Sequence, residues 1–514
     1  MLQRRPQSIS PDILAQITAL AQENTEYQQD LQQQRDYHAG RQFVHLTDRL
    51  RSFLGGSIGV TDKDFKRIRL NIFRTVVNAV VERLIVAKIV TDEQGVEEPL
   101  KDELGQVVTD ADGAPQAGVV KPTANWAGRT WLHNRMDARQ RGIYETTLRD
   151  SESFVLVTWD DEQQIARFVP HPRYIDPTTG GDGYGCMAVY QNNDPEQPLL
   201  FVTKRWVETT YPGGSRVDID RLTIYFPDRI EKYSGMASAW HPVQDAGDTS
   251  WPLPWTNPKT SEPLGIPIVH FRSTAGFEAG EAIGPQNAIN KTMIDLLAAA
   301  DLTAFQILIA MGWEPIDSDG NPLPIEPGTW LGTMNPDGKA VVIPGADLTN
   351  ISEQVYNWIQ WAAMATDTPA SRFTMSRQVA AEGTLKEQSV SLLNKCRMRQ
   401  SELGIAVADL FVIARTLHNA FFSAPMLDDE VTISVEWEPI ETRDEDAELA
   451  RAVLKAEKLK IPLSKIWAEL GYSEVEIAQW QTELDLQKQE EMKMQADQLK
   501  AQAQNQPPAQ PPAT

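Results

Sequence analysis

Apolar residues recur at helical spacing on both sides of a polar segment in the second half of the chain. The first stripe predicts a helix over residues 351–366 and consists of Ile351, Val355, Trp358, Ile359 and Ala362. The second helix follows the capping-box sequence Thr384–Glu387 and meets no proline before Phe422. It would span about 38 residues, or roughly 57 Å at 1.5 Å per residue. A helix of this length needs a partner surface along its whole length.

The segment between these two helices, residues 367–383, has the composition of an irregular loop. Pro369 disfavours a helical conformation at Thr368. The small polar side chains that follow compete with helix formation for backbone hydrogen bonds. The sequence therefore predicts helix, loop and long helix in this order.

The first 283 residues combine helical and strand patterns. Helical spacing covers much of residues 8–55, 71–89 and 124–149, whereas turn residues make 92–120 an exposed hairpin or loop. Short β-rich runs then alternate with turns, which predicts an antiparallel sheet within an α+β domain. These runs are residues 154–159, 165–169, 187–190, 200–203, 222–226 and 266–271.

Three tryptophans, Trp240, Trp251 and Trp255, lie among the prolines of residues 240–258. Exposed aromatic rings of this kind would suit a sugar-binding platform. A Pro-rich surface loop whose aromatic side chains are packed is the favoured interpretation.

A further apolar helix is predicted over residues 284–311, and a Pro- and Gly-rich segment, 313–350, separates it from the 351–366 helix. Because the two helices can pair antiparallel, this segment is expected at their far tip, with strands near 328–332 and 340–343. The alternating run Val431–Trp437 predicts a strand that must join a sheet formed earlier in the chain.

The C-terminal part is again helical in pattern. Helices are predicted over residues 445–459 and 463–470 and from Ser473 onward. The Gln-, Pro- and Ala-rich tail, 504–514, is expected to be disordered.

The charge of the chain excludes one large class of proteins. Its 514 residues include 71 acidic and 48 Lys or Arg residues, for a net charge of −23. A sequence-specific DNA reader neutralises phosphates with basic residues, so this chain should not hold DNA tightly. An acidic protein past which DNA slides without sticking remains compatible with this charge.

Two distant cysteines, Cys186 and Cys396, are expected to be free thiols of a reducing compartment. No apolar core follows Met1, so no signal peptide is expected. The most apolar run, 293–313, is interrupted by Asp295 and Asp301 and favours a buried helix over a membrane span. We expect no membrane association, and synthesis in the cytoplasm.

Searches for catalytic chemistry give two weak patterns. Residues 332–340 resemble a phosphate-binding loop, but the glycine spacing is one residue too long and Ala340 replaces the required Ser or Thr, so a strand–turn–strand is favoured. The run Asp317–Asn321 resembles a calcium loop, but Pro322 stands where glycine is required. No catalytic, cofactor-binding or metal site is predicted, and no enzyme activity is expected.

The order of elements resembles the portal proteins of long-tailed, siphovirus-type double-stranded DNA bacteriophages. The resemblance extends over nearly all of residues 30–480. It is carried by Asn71–Leu84, Trp131–Asp137 with Phe154–Val157, Ile266–Phe271 followed by Gly284–Lys291, Gly383–Lys386 and Glu436–Pro439.

The resemblance implies a structural protein that forms a ring of about twelve subunits at one capsid vertex. Double-stranded DNA would pass through its axis, without sequence specificity, during packaging and ejection. The implied partners are the terminase large-subunit ATPase, the major capsid and scaffolding proteins and the head–tail connector or adaptor proteins. The implied locations are the virion and, during assembly, the host cytoplasm. Since no ATP site is predicted, any mechanical work must come from the partner ATPase.

The resemblance also implies a division of this mainly helical α+β chain into the parts of the portal fold, with long stem and wing helices and a small antiparallel sheet in the wing. The parts would be the wing (1–283), first stem helix (284–312), clip (313–350), second stem helix (351–366), tunnel loop (367–383), long wing helix (384–422), strand returning to the wing sheet (423–439), helical crown (440–503) and disordered tail (504–514).

In this assignment the tunnel loop faces DNA through Thr368, Ser371, Arg372, Thr374, Ser376, Arg377 and Gln378. Its arginines would contact either DNA phosphates or acidic residues of the neighbouring subunit. A basic band on the long helix favours a solvated or intersubunit ion-pair face over a DNA contact. It consists of Lys386, Lys395, Arg397 and Arg399.

The clip residues expected to contact the motor or the connector are Asp317, Asp319, Trp330, Asp337 and Lys339. For these residues simple turn chemistry is the alternative. For the whole chain the alternatives are another phage minor capsid or scaffolding protein with long helices, and a Trp-rich acidic hydrolase. The mass of the particle in solution distinguishes a closed ring from both.

Overall fold

The structure is a computed structural model, and it falls into two compact units, residues 1–440 and 441–514. Each unit is described by itself. The residues that the structure describes are 10, 12–15, 25–42, 70–94, 96–99, 117–236, 239–304, 308–312, 316, 336–342, 348–373, 382–422, 426–440, 445–470, 472, 477, 480–482, 484 and 494.

Among the described residues, the first unit contains seven α-helices of at least ten residues. They are α1 (Thr25–His38), α2 (Ile72–Val81), α3 (Pro122–His133), α4 (Met136–Asp150), α5 (Ile283–Ala304), α6 (Leu348–Ala365) and α7 (Glu382–Phe421). The 40 residues of α7 agree closely with the long helix predicted over 384–422. Helix α6 begins three residues before the predicted 351–366 helix and ends one residue earlier.

The strands of the first unit are β1 (Val86–Thr91), β2 (Val96–Pro99), β3 (Ala117–Val120), β4 (Glu152–Asp160), β5 (Ile165–Pro172), β6 (Gly185–Tyr190), β7 (Leu199–Thr210), β8 (Val217–Tyr225), β9 (Arg229–Met236), β10 (Ala239–Pro242), β11 (Leu253–Pro254), β12 (Ile268–Arg272), β13 (Leu308–Met311), β14 (Lys339–Val342) and β15 (Ile433–Trp437). All named pairs are antiparallel.

The predicted antiparallel sheet is present as two sheets. One has the strand order β12-β4-β5, and the other has the order β10-β9-β8-β7-β6, with β11 paired to β9. Strands β2 and β3 pair at the base of the predicted 92–120 hairpin. The chain is therefore a mixture of helices and small antiparallel sheets, which confirms the α+β class.

The prediction of one helix over residues 71–89 is wrong in its second half. Asn71 caps α2 by accepting a hydrogen bond from the amide of Arg74, and the helix ends at Val81. Residues 86–91 form β1, because their β-branched side chains find a strand partner in β15, more than 340 residues away. The expectation that the late strand joins an earlier element is confirmed, and its partner is this misassigned segment.

The predicted 124–149 helix is two helices, α3 and α4, separated at Asn134 and Arg135. Arg135 has a positive φ of 51°. The buried amide of Asn134 donates to the carbonyl of Ala166 at 2.9 Å and accepts from the amide of Phe168 at 2.7 Å, both in β5. This tie to the sheet favours a break that helical periodicity alone does not show.

The predicted 284–311 helix also ends early. Helix α5 stops at Ala304, and Leu308–Met311 is strand β13, whose partner β14 is the strand predicted near 340–343. Gly312 follows with φ 79°, a conformation that favours glycine. The other predicted strand of this region, 328–332, lies outside the described residues.

The main core forms around one side of α7. From Leu392 to Leu417 its buried side chains recur every three or four residues and pack on α2, α3, β4 and β5. Phe411 illustrates the packing, because its ring contacts Trp126, Trp131 and Phe168 with centroids 5.7–6.4 Å apart. Gly404 lets β15 approach closely, since a Cβ there would lie 3.3 Å from Trp437 Nε1.

Residues Ser389–Phe421 of α7 are long and apolar enough to cross a membrane by length and composition. In this chain 61% of the most apolar window is buried against the rest of the protein. The segment therefore serves as the core helix of a compact unit.

The tryptophans of the Pro-rich region are packed. The indole of Trp251 donates to the carbonyl of Lys232 at 3.0 Å, and that of Trp255 donates to Gly265 at 2.8 Å. These bonds agree with packed aromatics and leave no open aromatic platform at these two residues. Cys186 and Cys396 are both free and buried, as expected.

The second unit contains α8 (Glu445–Lys458) and α9 (Leu463–Glu469), close to the predicted helices. Lys455 and Glu469 form an exposed ion pair between them, with their charged atoms 2.5 Å apart. Most of the helix predicted from Ser473, and all of the 504–514 tail, lie outside the described residues.

A buried ionic cluster joins α1 to the β12-β4-β5 sheet. The Glu152 carboxylate lies 3.1 Å from Nε of Arg173 and 2.8 Å from Nε2 of His270, and Tyr27 also donates to it. Burial raises the pKa of Glu152, but Arg173 and the hydrogen bond to His270 outweigh it and lower the pKa to about 2.

We predict that Glu152→Gln lowers the free energy of unfolding at neutral pH. The variant should also lose less of this free energy than the wild type as the pH falls. The ionised carboxylate contributes stability above its unfolded pKa of 4.5, and this contribution is lost as pH falls through about 2. The gap between the two values corresponds to about 3 kcal/mol. Guanidinium unfolding at about pH 7 and about pH 3 measures it.

Glu208→Gln is the matched control. Glu208 pairs with Arg221 on the surface of the sheet, at 2.6 Å and 39% exposure, and its loss should change the free energy of unfolding by less than about 1 kcal/mol. The prediction is contradicted if the free energy of unfolding falls by the same amount between neutral and acidic pH in the wild type and in Glu152→Gln.

Candidate functional site

Helices α5 and α6 pack on each other and share an apolar cluster with α2. The cluster is centred on Ile289, Ile359 and Ala362, with Ile72 contributed by α2. The strand after α5 and the strand before α6 are antiparallel partners, so the chain travels out along one helix and returns along the other. This geometry agrees with the predicted antiparallel pairing of the two helices, with β13 and β14 paired beyond their ends.

Two amide side chains, of which Gln286 is buried, anchor the beginning of α5. Oε1 of Gln286 accepts from the amides of Ile72 and Phe73 at 2.7 and 3.3 Å, while its Nε2 donates to the carbonyl of Leu70. Asn287, the next residue, accepts from the hydroxyl of Tyr37 at 2.6 Å. Sequence reasoning missed these anchors, because polar residues at the start of a predicted helix ordinarily indicate an exposed face.

The segment after α6 begins with an ordered turn. Asp367 has φ 48°, the amide of Thr368 donates back to Ala363, and a short 3₁₀ turn covers Ala370–Arg372. The ring of Phe373 is packed against the core. The break in helix at Pro369 that the sequence predicts is confirmed, but residues 367–373 form a defined cap.

The predicted DNA-facing residues have different environments. Thr368 is 1% exposed, and its hydroxyl donates to the carbonyl of Thr366, so the expectation of an outward-facing side chain is corrected at this position. Ser371 and Arg372 are exposed. Nη1 of Arg372 lies 3.2 Å from the Glu82 carboxylate in the same chain. The remaining residues, Thr374, Ser376, Arg377 and Gln378, lie outside the described residues.

The basic band on α7 divides between two faces of the helix. Lys395 and Arg399, one turn apart, point into the protein and bind the Glu278 carboxylate at 2.5 and 2.9 Å. Arg397 is exposed on the other face, and the side chain of Lys386 lies outside the described residues. The expected solvated or intersubunit face is therefore wrong for Lys395 and Arg399, whose partner is in their own chain.

Burial tunes two groups around this carboxylate. Burial lowers the pKa of Arg399, but the neighbouring Glu278 outweighs it, so the pKa is raised above its ordinary value. Burial raises the pKa of the Cys396 thiol to about 11, which keeps it protonated at neutral pH.

The described clip residues belong to a turn and a strand. Asp337 lies in a turn and Lys339 begins β14, and both are exposed. A strand that starts at Lys339 agrees with the strand–turn–strand interpretation rather than with a phosphate loop. Asp317, Asp319 and Trp330 lie outside the described residues, as does the calcium-loop pattern.

Within the described ranges, no group of three His, Cys, Asp or Glu side chains is placed to hold a metal ion.

No curated protein sequence matches this chain significantly. Among solved structures, one similar chain is in the neck of an empty GTA particle computed with C6 symmetry. It shares 9% sequence identity and a TM-score of 0.34, over 83% of this chain and 94% of the other. The sequence profile of a family described as phage portal protein, SPP1 Gp6-like, matches residues 19–492. Because this match covers most of the sequence, the chain belongs to the SPP1 Gp6-like family of phage portal proteins.

Proposed function

We propose that this protein assembles as a closed ring of about twelve subunits at one capsid vertex, where double-stranded DNA enters and leaves through the axis. The observation that carries the proposal is the family match over residues 19–492. A structural role at the portal vertex of the virion follows from the family. The ring number, the passage of DNA and docking of the terminase motor and then of the connector are the proposed part. Assembly in the host cytoplasm, with major capsid and scaffolding proteins, belongs to the same proposal.

The helix bounds refine the proposed division of the chain. We assign α5 and α6 to the stem and α7 to the spine of the wing. Because α5 ends at Ala304 and α6 begins at Leu348, the proposed clip is residues 305–347. It begins and ends earlier than the 313–350 segment expected from the sequence. The second unit is the proposed crown.

The charge of the chain supports a conduit. At −23 per subunit, a ring gives DNA little attraction along most of its surface, so a duplex would pass without being held. A motor in a partner protein would then supply the work. Ring assembly is tested first by native mass measurement, where particles near twelve times the chain mass of 57.5 kDa are expected. A stable monomer at capsid-assembly concentrations would contradict the ring.

Exposed apolar side chains on α7 give the ring a proposed contact surface. Met398, Ile405 and Val412 are 61%, 68% and 40% exposed and lie seven residues apart, which places them on one face, away from the core. A head-to-tail cyclic contact joins different surfaces of neighbouring subunits, and this stripe is one such surface.

We predict that Ile405→Asp shifts the particle from rings to monomers, because a charge would be buried at each contact. Ile405→Leu is the control and should assemble normally. Native mass spectrometry and negative-stain images give the measurement. Intact rings of Ile405→Asp, with wild-type thermal stability, would remove α7 from the interface.

We predict that replacing residues 374–378 with a Gly-Ser segment of equal length leaves rings intact but blocks packaging or retention of DNA. Residues 367–373 are left unchanged, because Thr368 and Phe373 pack within the chain. The measurement is ring mass together with DNA-filled heads in an infection complemented with the variant. Normal phage yield would contradict the assignment of this segment to the channel.

We predict that Arg372→Ala changes the free energy of unfolding by less than about 1 kcal/mol, because its pair with Glu82 is exposed on both sides. If Arg372 meets DNA, its substitution lowers packaging efficiency, whereas Glu82→Ala, which only frees the arginine, does not. Equal packaging defects in the two variants would instead assign Arg372 to the ion pair alone.

A further inference from the structure

The Glu278 carboxylate is the centre of a buried ionic cluster at the beginning of the segment that follows α6. Its side chain is fully buried, with Lys395 Nζ 2.5 Å from one oxygen and Arg399 Nε 2.9 Å from the other. Arg399 also lies 3.1 Å from Glu402, which accepts a hydrogen bond from the Thr274 hydroxyl. Two carboxylates and two cations balance, so the burial of each charge is compensated.

Lys395 makes one further contact that Arg399 does not. Its ammonium donates to the carbonyl of Thr366 at 2.7 Å, directly after the last residue of α6. The last carbonyls of a helix lack partners within the helix, and a cation there also complements the helix dipole. One ammonium thus joins the end of α6 to α7 and, through Glu278, to the connection that precedes α5.

We propose that Lys395 is the positioning residue that fixes the origin of the 366–381 segment relative to the two stem helices and the wing. The inference rests on the proposed function only where it concerns DNA. The tether itself is a property of the folded chain. Because the 366–381 segment begins at Thr366, its position in the proposed channel depends on where the Thr366 carbonyl is held.

The geometry separates this role from general stabilisation. Removing Lys395 breaks the bond to Thr366 but leaves Glu278 paired with Arg399. Removing the charge of Glu278 keeps both atoms of the Lys395–Thr366 bond but takes one acidic partner from both cations, so it weakens the whole cluster. A tether at Thr366 therefore predicts a local loss of order when the lysine is removed, whereas a purely ionic stabilisation predicts the same effect from both substitutions.

Hydrogen–deuterium exchange of the full-length protein tests the tether. The reporting amides are those of Thr366, Thr368, Arg372 and Phe373, each of which is bonded within the cap. In Lys395→Met we expect exchange of a peptide that covers 366–373 to rise about tenfold, while a peptide from β4 keeps its wild-type rate. In Glu278→Gln any rise should be the same in both peptides, because the loss of a buried charge weakens the whole cluster, and in the double variant the 366–373 peptide should again exchange faster than the β4 peptide.

Lys259→Met is the matched control. Lys259 also donates to two carbonyls at a helix end, those of Asn419 and Phe422, both at 2.7 Å, but at the C-terminal end of α7 rather than of α6. Its substitution should leave the 366–373 peptide protected. The design thus compares two lysines with the same chemistry at the C-terminal ends of two different helices.

Unchanged protection of 366–373 in Lys395→Met overturns the proposal. So does an increase that is equal in all peptides, or one that Glu278→Gln reproduces, because each would make the cluster a general stabiliser. Packaging is scored separately in the same variant, where about a tenfold loss of DNA-filled heads is expected. Local loosening with normal packaging would leave the tether standing and would refute the channel role of the segment.

Discussion

The constraint on which this structure depends is the cover that a 40-residue helix requires. Helix α7 carries an apolar stripe from Leu392 to Leu417, and the first unit is arranged so that α2, α3, β4 and β5 lie against it. Helices in folded proteins gain most of their stability from such packing rather than from propensity. Packing of this stripe fixes the positions of both ends of α7. It therefore also fixes where the segments before and after the helix begin.

Polar side chains near the C-terminal end of α7 hold the segment that follows the helix in a fixed position. Arg415 donates to the carbonyls of Asp428, Asp429 and Val431, and the amide of Asn419 both donates to and accepts from the backbone of Leu427. These bonds lead β15 back to β1. In the first half of α7, Lys395 and Arg399 have a comparable task, because both bind the buried Glu278 carboxylate.

The sequence predicted the elements whose signal is local. Periodicity and the capping box indicated α6 and α7 to within a few residues, and β-rich runs indicated most strands of the two sheets. The errors occur where a distant partner decides the conformation. Residues 86–91 and 308–311 continue helical patterns, yet they become strands because β15 and β14 are available to pair with them.

The candidate site shows the same division. Ser371 and Arg372 are exposed because the helix breaks after α6, and Pro369 predicts this break from the sequence. The inward direction of Lys395 depends on Glu278, which lies more than 110 residues from that lysine in sequence and gave no local signal. Helical spacing places Lys395 and Arg399 on one face of α7. Whether that face is solvent-exposed or buried depends on the tertiary contact with Glu278.

The charge balance around the beginning of the 366–381 segment differs from that of the whole chain. Arg83, Arg372, Lys395 and Arg399 lie near Glu82, Glu278 and Glu402, four cations against three acids. Burial and the neighbouring Arg372 lower the pKa of Arg83, an indication that positive charge is crowded there. In the proposed ring of acidic subunits, a near-neutral base of this segment would repel a duplex less than the surrounding surface does. Since most of these cations are already held by acids, the duplex would also gain few strong contacts, and the two effects together favour passage over binding.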